Sequence, residues 1–238
     1  MSNGISVKKR NGRGIEPLDL EKIHKMVEEA TKGLAGVSAS QVEIQSGIQF
    51  YDGISTDEIQ EILIKSASDL IDLDHPNYQF VAARLLLFAL RKSLYGKMRE
   101  LPHLEPHIYD CVNRDVYDSG IYEKYSKEEI DKANSYIDHN RDFLFTYAGL
   151  RQVVDKYLVQ DRSSGGVYET PQFMYMMIAL TIFAEYPKET RLNYVRRYYD
   201  AISKHKLNIP TPIMAGVRTP LRQFASCVLV DIDDTLDS

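Results

Sequence analysis

Cysteine is scarce in this 238-residue chain, which has only Cys111 and Cys227, far apart in sequence. Two distant thiols exclude a disulfide framework and a cysteine-rich zinc motif. They fit a reducing compartment, where any redox role needs a partner thiol. Long apolar runs are absent too, and no stretch approaches the roughly 20 residues that a membrane-spanning helix requires. The first dozen residues, MSNGISVKKRNG, lack the apolar centre of a secretory signal. An excess of positive charge is also missing. The net charge is −5, so nothing draws the whole chain to nucleic acid, and any phosphate-binding site has to be local. These absences predict a cytoplasmic protein (host cytoplasm if viral) with neither a membrane nor a nucleic acid as partner.

What is present is ordinary for a globular chain: 44% apolar and 26% charged residues. Residues 5–18 predict a short hairpin, because Asn11-Gly12 tolerates the positive φ angles of a tight turn. Asp19 can cap a helix to about Lys32 whose apolar face is Leu20, Ile23, Val27 and Ala30, with Gly33 as its stop. Further helices are predicted from Ser38, from Ser55 or Thr56 with Glu58 completing a capping box, and after Pro76. The last of these, ending at Gly96, is apolar on most sides and should be the buried centre. Residues 1–96 therefore read as one unit, a small hairpin over four helices.

Residues 97–106 carry Pro102 and Pro106 and read as a linker. The two prolines argue against a regular helix there, so His103 and His107 are not expected to ligate a metal, and no metal site is predicted. Residues 107–205 read as mostly helical, with a capping box at Ser126 and Glu129 and a hairpin around residues 163–166. Cys111 reads as a buried apolar thiol. After Leu207 a proline-studded loop is expected, then a β-type run from Phe224 to Ile232 with little polarity on either face, the pattern of a strand covered on both sides. Nothing in the chain supplies its neighbours.

The tail admits a phosphatase reading. Asp231, Asp233 and Thr235 after an apolar run fit D-x-D-x-T, which resembles the first motif of haloacid-dehalogenase-type phosphatases. That motif opens a fold of more than a hundred residues, and three follow it here. An acidic turn after a strand is the plainer account.

Four stretches read together resemble the N-terminal third of the large, catalytic subunit of class I ribonucleotide reductase, bacterial or phage type: VKKRNG (7–12), DLEKI (19–23), AARLLLFALRKSLYG (82–96) and PTPIMAGVRTPLRQFASCVLV (210–230). The resemblance implies a mainly α chain in three parts. Residues 1–96 are then an ATP-cone, residues 97–210 a helical segment, and residues 211–238 the start of a ten-stranded α/β barrel that this chain does not complete. The cone implies ATP and dATP as allosteric effectors, contacted by Lys9, Arg10, Glu16, Asp19, Lys22, Thr56 and Lys92. Cations near strand ends and helix N-termini suit a triphosphate. Gln60 stands where the family often has histidine, a departure that bears on inhibition by dATP.

The same resemblance makes Cys227 one of two cysteines that reduce the substrate ribose, since a dithiol supplies two electrons and two protons. It places Thr211 and Ser226 on the substrate's diphosphate. It places Asp234, Thr235 and Leu236 at a specificity site for a deoxynucleoside triphosphate with magnesium. No tightly bound cofactor is implied, because the radical metal centre resides in the small subunit. The implied partners are that radical-generating small subunit, thioredoxin or glutaredoxin as reductant, further copies of the completed large subunit, and a C-terminal polypeptide that completes a split large subunit. The other reading is a stand-alone sensor of ATP and dATP without catalytic duty.

Overall fold

Asp19 opens the first helix as the sequence predicts. In the computed structural model, which describes residues 4–10, 14–161, 163–221 and 223–229, its carboxylate accepts from Lys22 N at 3.1 Å and α1 runs Leu20–Thr31. Ile23, Met26, Val27 and Ala30 turn inward at helical spacing. Ser38 caps α2 (Ala39–Gly47), accepting from Gln41 N. α3 (Thr56–Asp69) begins with a reciprocal capping box, in which Glu58 N donates to Ser55 Oγ at 3.1 Å and Ser55 N donates to Glu58 Oε2 at 2.9 Å. Tyr51 also donates to Glu58, and these bonds hold the Glu58 carboxyl down at about 2. Removing the Ser55 hydroxyl leaves the Glu58 N–H without its acceptor, so Ser55→Ala should cost about 1 kcal/mol. At this chain length that is roughly 2–4 °C in the midpoint of a thermal melt.

The hairpin strands are β1 (Ser6–Lys8) and β2 (Ile15–Pro17), paired antiparallel with Val7 opposite Glu16. A third strand, β3 (Ile54–Ser55), pairs parallel to β1, so the sheet order is β2-β1-β3. The sequence analysis assigns no strand there. Gly53, at φ 81°, makes the turn into β3, and its N–H donates to Ser6 O. The sheet carries Lys9 and Arg10 to the N-terminus of α3.

α4 (Tyr78–Tyr95) is the buried centre predicted, and Gly96 closes it in the left-handed conformation at φ 71°. It serves both halves of the molecule. Val81, Ala82, Leu85 and Leu86 are buried in the core that joins them. At its C-terminal end, Arg91 donates to His139 O and to Asp142, both at 2.8 Å. Asp142 also accepts from Gln172, which accepts from Tyr199. Two nitrogens of these residues, Arg91 Nε and His139 Nδ1, are buried with no partner among the described residues.

Beyond α4 come α5 (Leu104–Asn113), α6 (Ile121–Lys124), α7 (Lys127–Asn134), a 3-10 turn (His139–Leu144), α8 (Tyr147–Gln152), a π-helical turn (Val153–Tyr157), α9 (Pro171–Ile182), α10 (Lys188–Ser203) and α11 (Thr211–Gly216). The capping box at Ser126 and Glu129 forms, and Gln160 bridges to Val167 in the expected hairpin.

Three expectations change. The linker of 97–106 ends early, because α5 includes Pro106 in its first turn, where a missing N–H costs nothing. The loop expected after Leu207 contains α11, with Pro212 likewise in the first turn. The strand expected from Phe224 does not form over 224–229, where no partner strand is present among the described residues and Val228 and Leu229 are exposed. Its remainder, 230–232, lies outside the described residues.

Candidate functional site: a cation-lined cleft beneath the hairpin

The hairpin end and the N-termini of α1 and α3 converge with the last turns of α4 around a cleft of about 500 Å³. Lys9, Arg10, Asp19, Lys22, Thr56 and Lys92 all line it. Glu16 does not, but its carboxylate holds Lys9 Nζ at 2.8 Å. All seven residues that the resemblance assigned to one nucleotide are thus brought together around one cleft.

Their charges are not equally committed. Lys9 is paired with Glu16, and Lys22 with Asp19 at 3.0 Å. Arg10 donates through Nε to Asp57 on α3 at 2.6 Å. These pairings hold the Glu16 and Asp19 carboxyls below the ordinary carboxylate range, through Lys9 and Lys22 respectively. Lys92 is different. Among the described residues its ammonium meets no carboxylate, and its hydrogen-bond acceptor is the thioether sulfur of Met26 at 3.7 Å. Burial, together with the nearby Arg10 and Lys9 charges, lowers its pKa. Thr56 adds a second uncommitted group, a buried Oγ1 with no hydrogen-bond partner among the described residues. An unmatched cation, an orphan hydroxyl and the N-terminus of α3 make a site for an anion.

The apolar part of the lining is Val7, Ile23, Met26 and Ile59. Gln60, nine-tenths buried and more, closes the end by donating Nε2 to Met26 Sδ at 3.1 Å. Met26 and Ser93 are cleft residues that the sequence reading missed. Met26 sits at core spacing on α1 and looks like packing, and an isolated serine carries no signal.

The other assigned residues are not gathered this way. Thr211 is the first residue of α11, exposed, with its hydroxyl 3.5 Å from Tyr157 Oη. Ser226 and Cys227 are exposed neighbours, Oγ to Sγ 3.7 Å. Both cysteines are free thiols. Asp234, Thr235 and Leu236 lie outside the described residues, as does the D-x-D-x-T run. Among the described residues no cluster with the makings of a metal site forms. His103 and His107 have other partners: His103 meets Asn134, and His107 stacks on Phe173 and meets Tyr117. Cys111 is buried 3.8 Å from His107 Nε2, a neighbour the sequence reading did not foresee, and burial pushes its thiol up to about 12, which makes it unreactive.

Comparison with known proteins adds to this geometry. Residues 5–93 match the ATP cone domain, and residues 143–222 match the all-alpha domain of ribonucleotide reductase. The chain is 50% identical, over all 238 residues, to the ribonucleoside-diphosphate reductase subunit alpha of Haemophilus influenzae and to the corresponding reductase 1 subunit alpha of Escherichia coli K12. It is 44% identical over 236 residues to the alpha subunit of Enterobacteria phage T4. The match takes in 100% of this chain but 31% of each of the first two relatives, and 98% of this chain and 30% of the third. The chain thus spans about a third of the length of the curated relatives it matches.

Proposed function

We propose that this chain, an N-terminal region of a ribonucleoside-diphosphate reductase alpha subunit with an ATP-cone regulatory domain, binds ATP or dATP in the cleft and thereby sets the activity of a reductase. The observation that carries the nucleotide reading is Lys92, an ammonium inside the cleft with no carboxylate, beside the orphan Thr56 hydroxyl. Lys92, Thr56, Lys9 and Arg10 take the phosphates. Glu16, Asp19 and Lys22 stand at the outer end, where paired donors and acceptors can hold base or sugar. The cleft's own carboxylates are committed to cations, so magnesium arrives on the phosphate oxygens rather than on a protein cage.

Calorimetric titration of the full chain with ATP tests this reading. Wild type should bind, and Lys92→Met should lose at least about tenfold in affinity, because a charge-assisted hydrogen bond to phosphate disappears. A wild-type chain that takes up neither ATP nor dATP rules the reading out.

The catalytic part of the proposal rests on the C-terminal segment. Cys227 is one of two thiols that give two electrons and two protons to a ribonucleoside diphosphate and close as a disulfide. Its exposure fits a thiol that must meet a substrate and a second cysteine. Thr211 and Ser226 offer hydroxyls to the diphosphate, and Asp234, Thr235 and Leu236 hold the specificity effector. The second cysteine and the rest of the barrel come from the C-terminal polypeptide of the large subunit. The apolar surface of Phe224, Val228 and Leu229, open to solvent here, supports a further layer of protein over it. A small subunit supplies the radical, a thioredoxin or glutaredoxin restores the thiols, and the completed large subunits associate with one another.

A further inference from the structure

Side chains from three helices meet at one sulfur atom in the cleft lining. Met26 comes from α1, Gln60 from α3 and Lys92 from α4. The Met26 Sδ is 3.1 Å from Gln60 Nε2 and 3.7 Å from Lys92 Nζ. A thioether is a weak acceptor. Lys9, Arg10 and Lys22 all meet carboxylates instead. The arrangement therefore holds two strong donors, one of them charged, against an atom that can accept little, in a cleft open to solvent.

We infer that Met26 is a site of reversible oxidation, at which one added oxygen captures Lys92 and weakens nucleotide binding. The effect on binding rests on the nucleotide reading of the cleft. The oxidant is a peroxide. The sulfur lone pair attacks one peroxide oxygen, the O–O bond breaks, and the departing hydroxide takes a proton and leaves as water. Thioether and hydrogen peroxide thus give sulfoxide and water: sulfur loses two electrons and the peroxide gains them. The new S–O oxygen is a strong acceptor with an ammonium and an amide already facing it. A charge-assisted bond to it is roughly twice as strong as a neutral one. Phosphate has to break that bond before Lys92 can serve it. Methionine sulfoxide reductases return the thioether, so the change is reversible.

The location distinguishes Met26 from the other methionines. Met174, Met176 and Met177 on α9 and Met214 on α11 are buried away from the cleft, whereas Met26, 6% exposed, lines it. Met98 is more exposed but lines no part of the cleft. Oxidation at either place leaves Lys92 untouched.

Two readouts on the full chain test the inference. Mild hydrogen peroxide is applied to wild type and to Met26→Leu, and peptide mass spectrometry confirms the added oxygen at Met26. Acylation of Lys92 with acetic anhydride, scored by the same method, reads whether the ammonium has been captured. Titration with ATP reads affinity. Oxidised wild type should label more slowly at Lys92 and bind ATP about tenfold more weakly, and a sulfoxide reductase should restore both. The M26L chain should label and bind alike before and after peroxide. Unchanged Lys92 labelling once Met26 is oxidised overturns the inference, as does equal loss in M26L, or Met26 left intact where Met98 is fully oxidised. Captured Lys92 in a chain that never bound ATP upholds the oxidation site and removes the nucleotide reading alone.

Discussion

Glu169→Ala should be the most destabilising single change in the helical half, costing about 3–5 kcal/mol. Glu169 and Arg218 are both completely buried. Arg218 Nε donates to Glu169 Oε1 at 3.0 Å and to Oε2 at 2.9 Å, and its Nη2 also reaches Oε1. The two terminal nitrogens also reach backbone carbonyls: Nη1 meets Met214 O at 2.5 Å and Nη2 meets Tyr157 O at 2.9 Å. Glu169 in turn accepts from Tyr117 Oη at 2.5 Å and from Val159 N at 2.7 Å. Each guanidinium nitrogen and each carboxylate oxygen therefore has a partner, and taking away the anion leaves a buried guanidinium that cannot shed its proton. Replacing both partners, as in E169L with R218M, should cost less than E169A alone, because no charge is then stranded. Urea denaturation of the three chains measures the order. A loss below about 1 kcal/mol in E169A would mean that the pair is not buried as described. The pair also fastens α11 and the approach to Cys227 onto the π-helical turn and the N-terminus of α9, so E169A should loosen 211–221 first.

How much of this was legible follows from how local each signal is. The α1, α3 and α7 caps were readable because Asp19, Ser55 with Glu58, and Ser126 with Glu129 act within three residues. α4 was readable from its apolar length and from Gly96. β3 was not, because two residues, Ile54 and Ser55, pair with a strand more than forty positions away and carry no pattern of their own. The first turn of α5 and all of α11 escape the sequence reading for one reason: Pro106 and Pro212 read as helix breakers, although both fall in a first turn. The apolar run at 224–229 shows the converse, since β propensity does not make a strand without a neighbour to pair with. In the cleft, the seven residues proposed for the nucleotide came from family resemblance. Spacing alone would have left Lys9, Lys22 and Lys92 as surface charges. Distances then separated Lys92, which has no carboxylate, from the others, which do. The Glu169–Arg218 pair was invisible, because two charged residues 49 positions apart give no sign that they meet.

Stability should fall steeply as pH drops from about 6.5 toward 4.5, before most carboxylates begin to titrate. Two buried histidines set this window. Burial lowers His107 to about 4, and burial with the neighbouring Arg91 charge lowers His139 to about 4, against an ordinary 6.5. Phe173 lies against both rings, at 4.3 Å from His107 and 5.1 Å from His139. Around His107 stand Tyr117, Cys111, Glu169, Asp110 and Arg218, and around His139 stand Arg91 and Asp138. The folded chain keeps both rings neutral, while the unfolded chain protonates them below about 6.5. The unfolded state then binds up to two more protons, and stability declines toward acid by as much as about 2.7 kcal/mol per pH unit. His205, lowered by burial, adds in the same direction. His24 opposes it, because its exposed contacts with Glu43 and Glu28 raise its pKa and stabilise the protonated form as pH falls. Glu58, held at about 2, enters only in stronger acid. Urea midpoints at about pH 7, 6 and 5 measure the slope, and His139→Gln should remove about half of it while leaving the rest to His107. Equal midpoints across that range in wild type would mean that neither ring is neutral by burial. An unaltered slope in H139Q would assign the whole effect to the His107 cluster, one contact away from the Glu169–Arg218 pair.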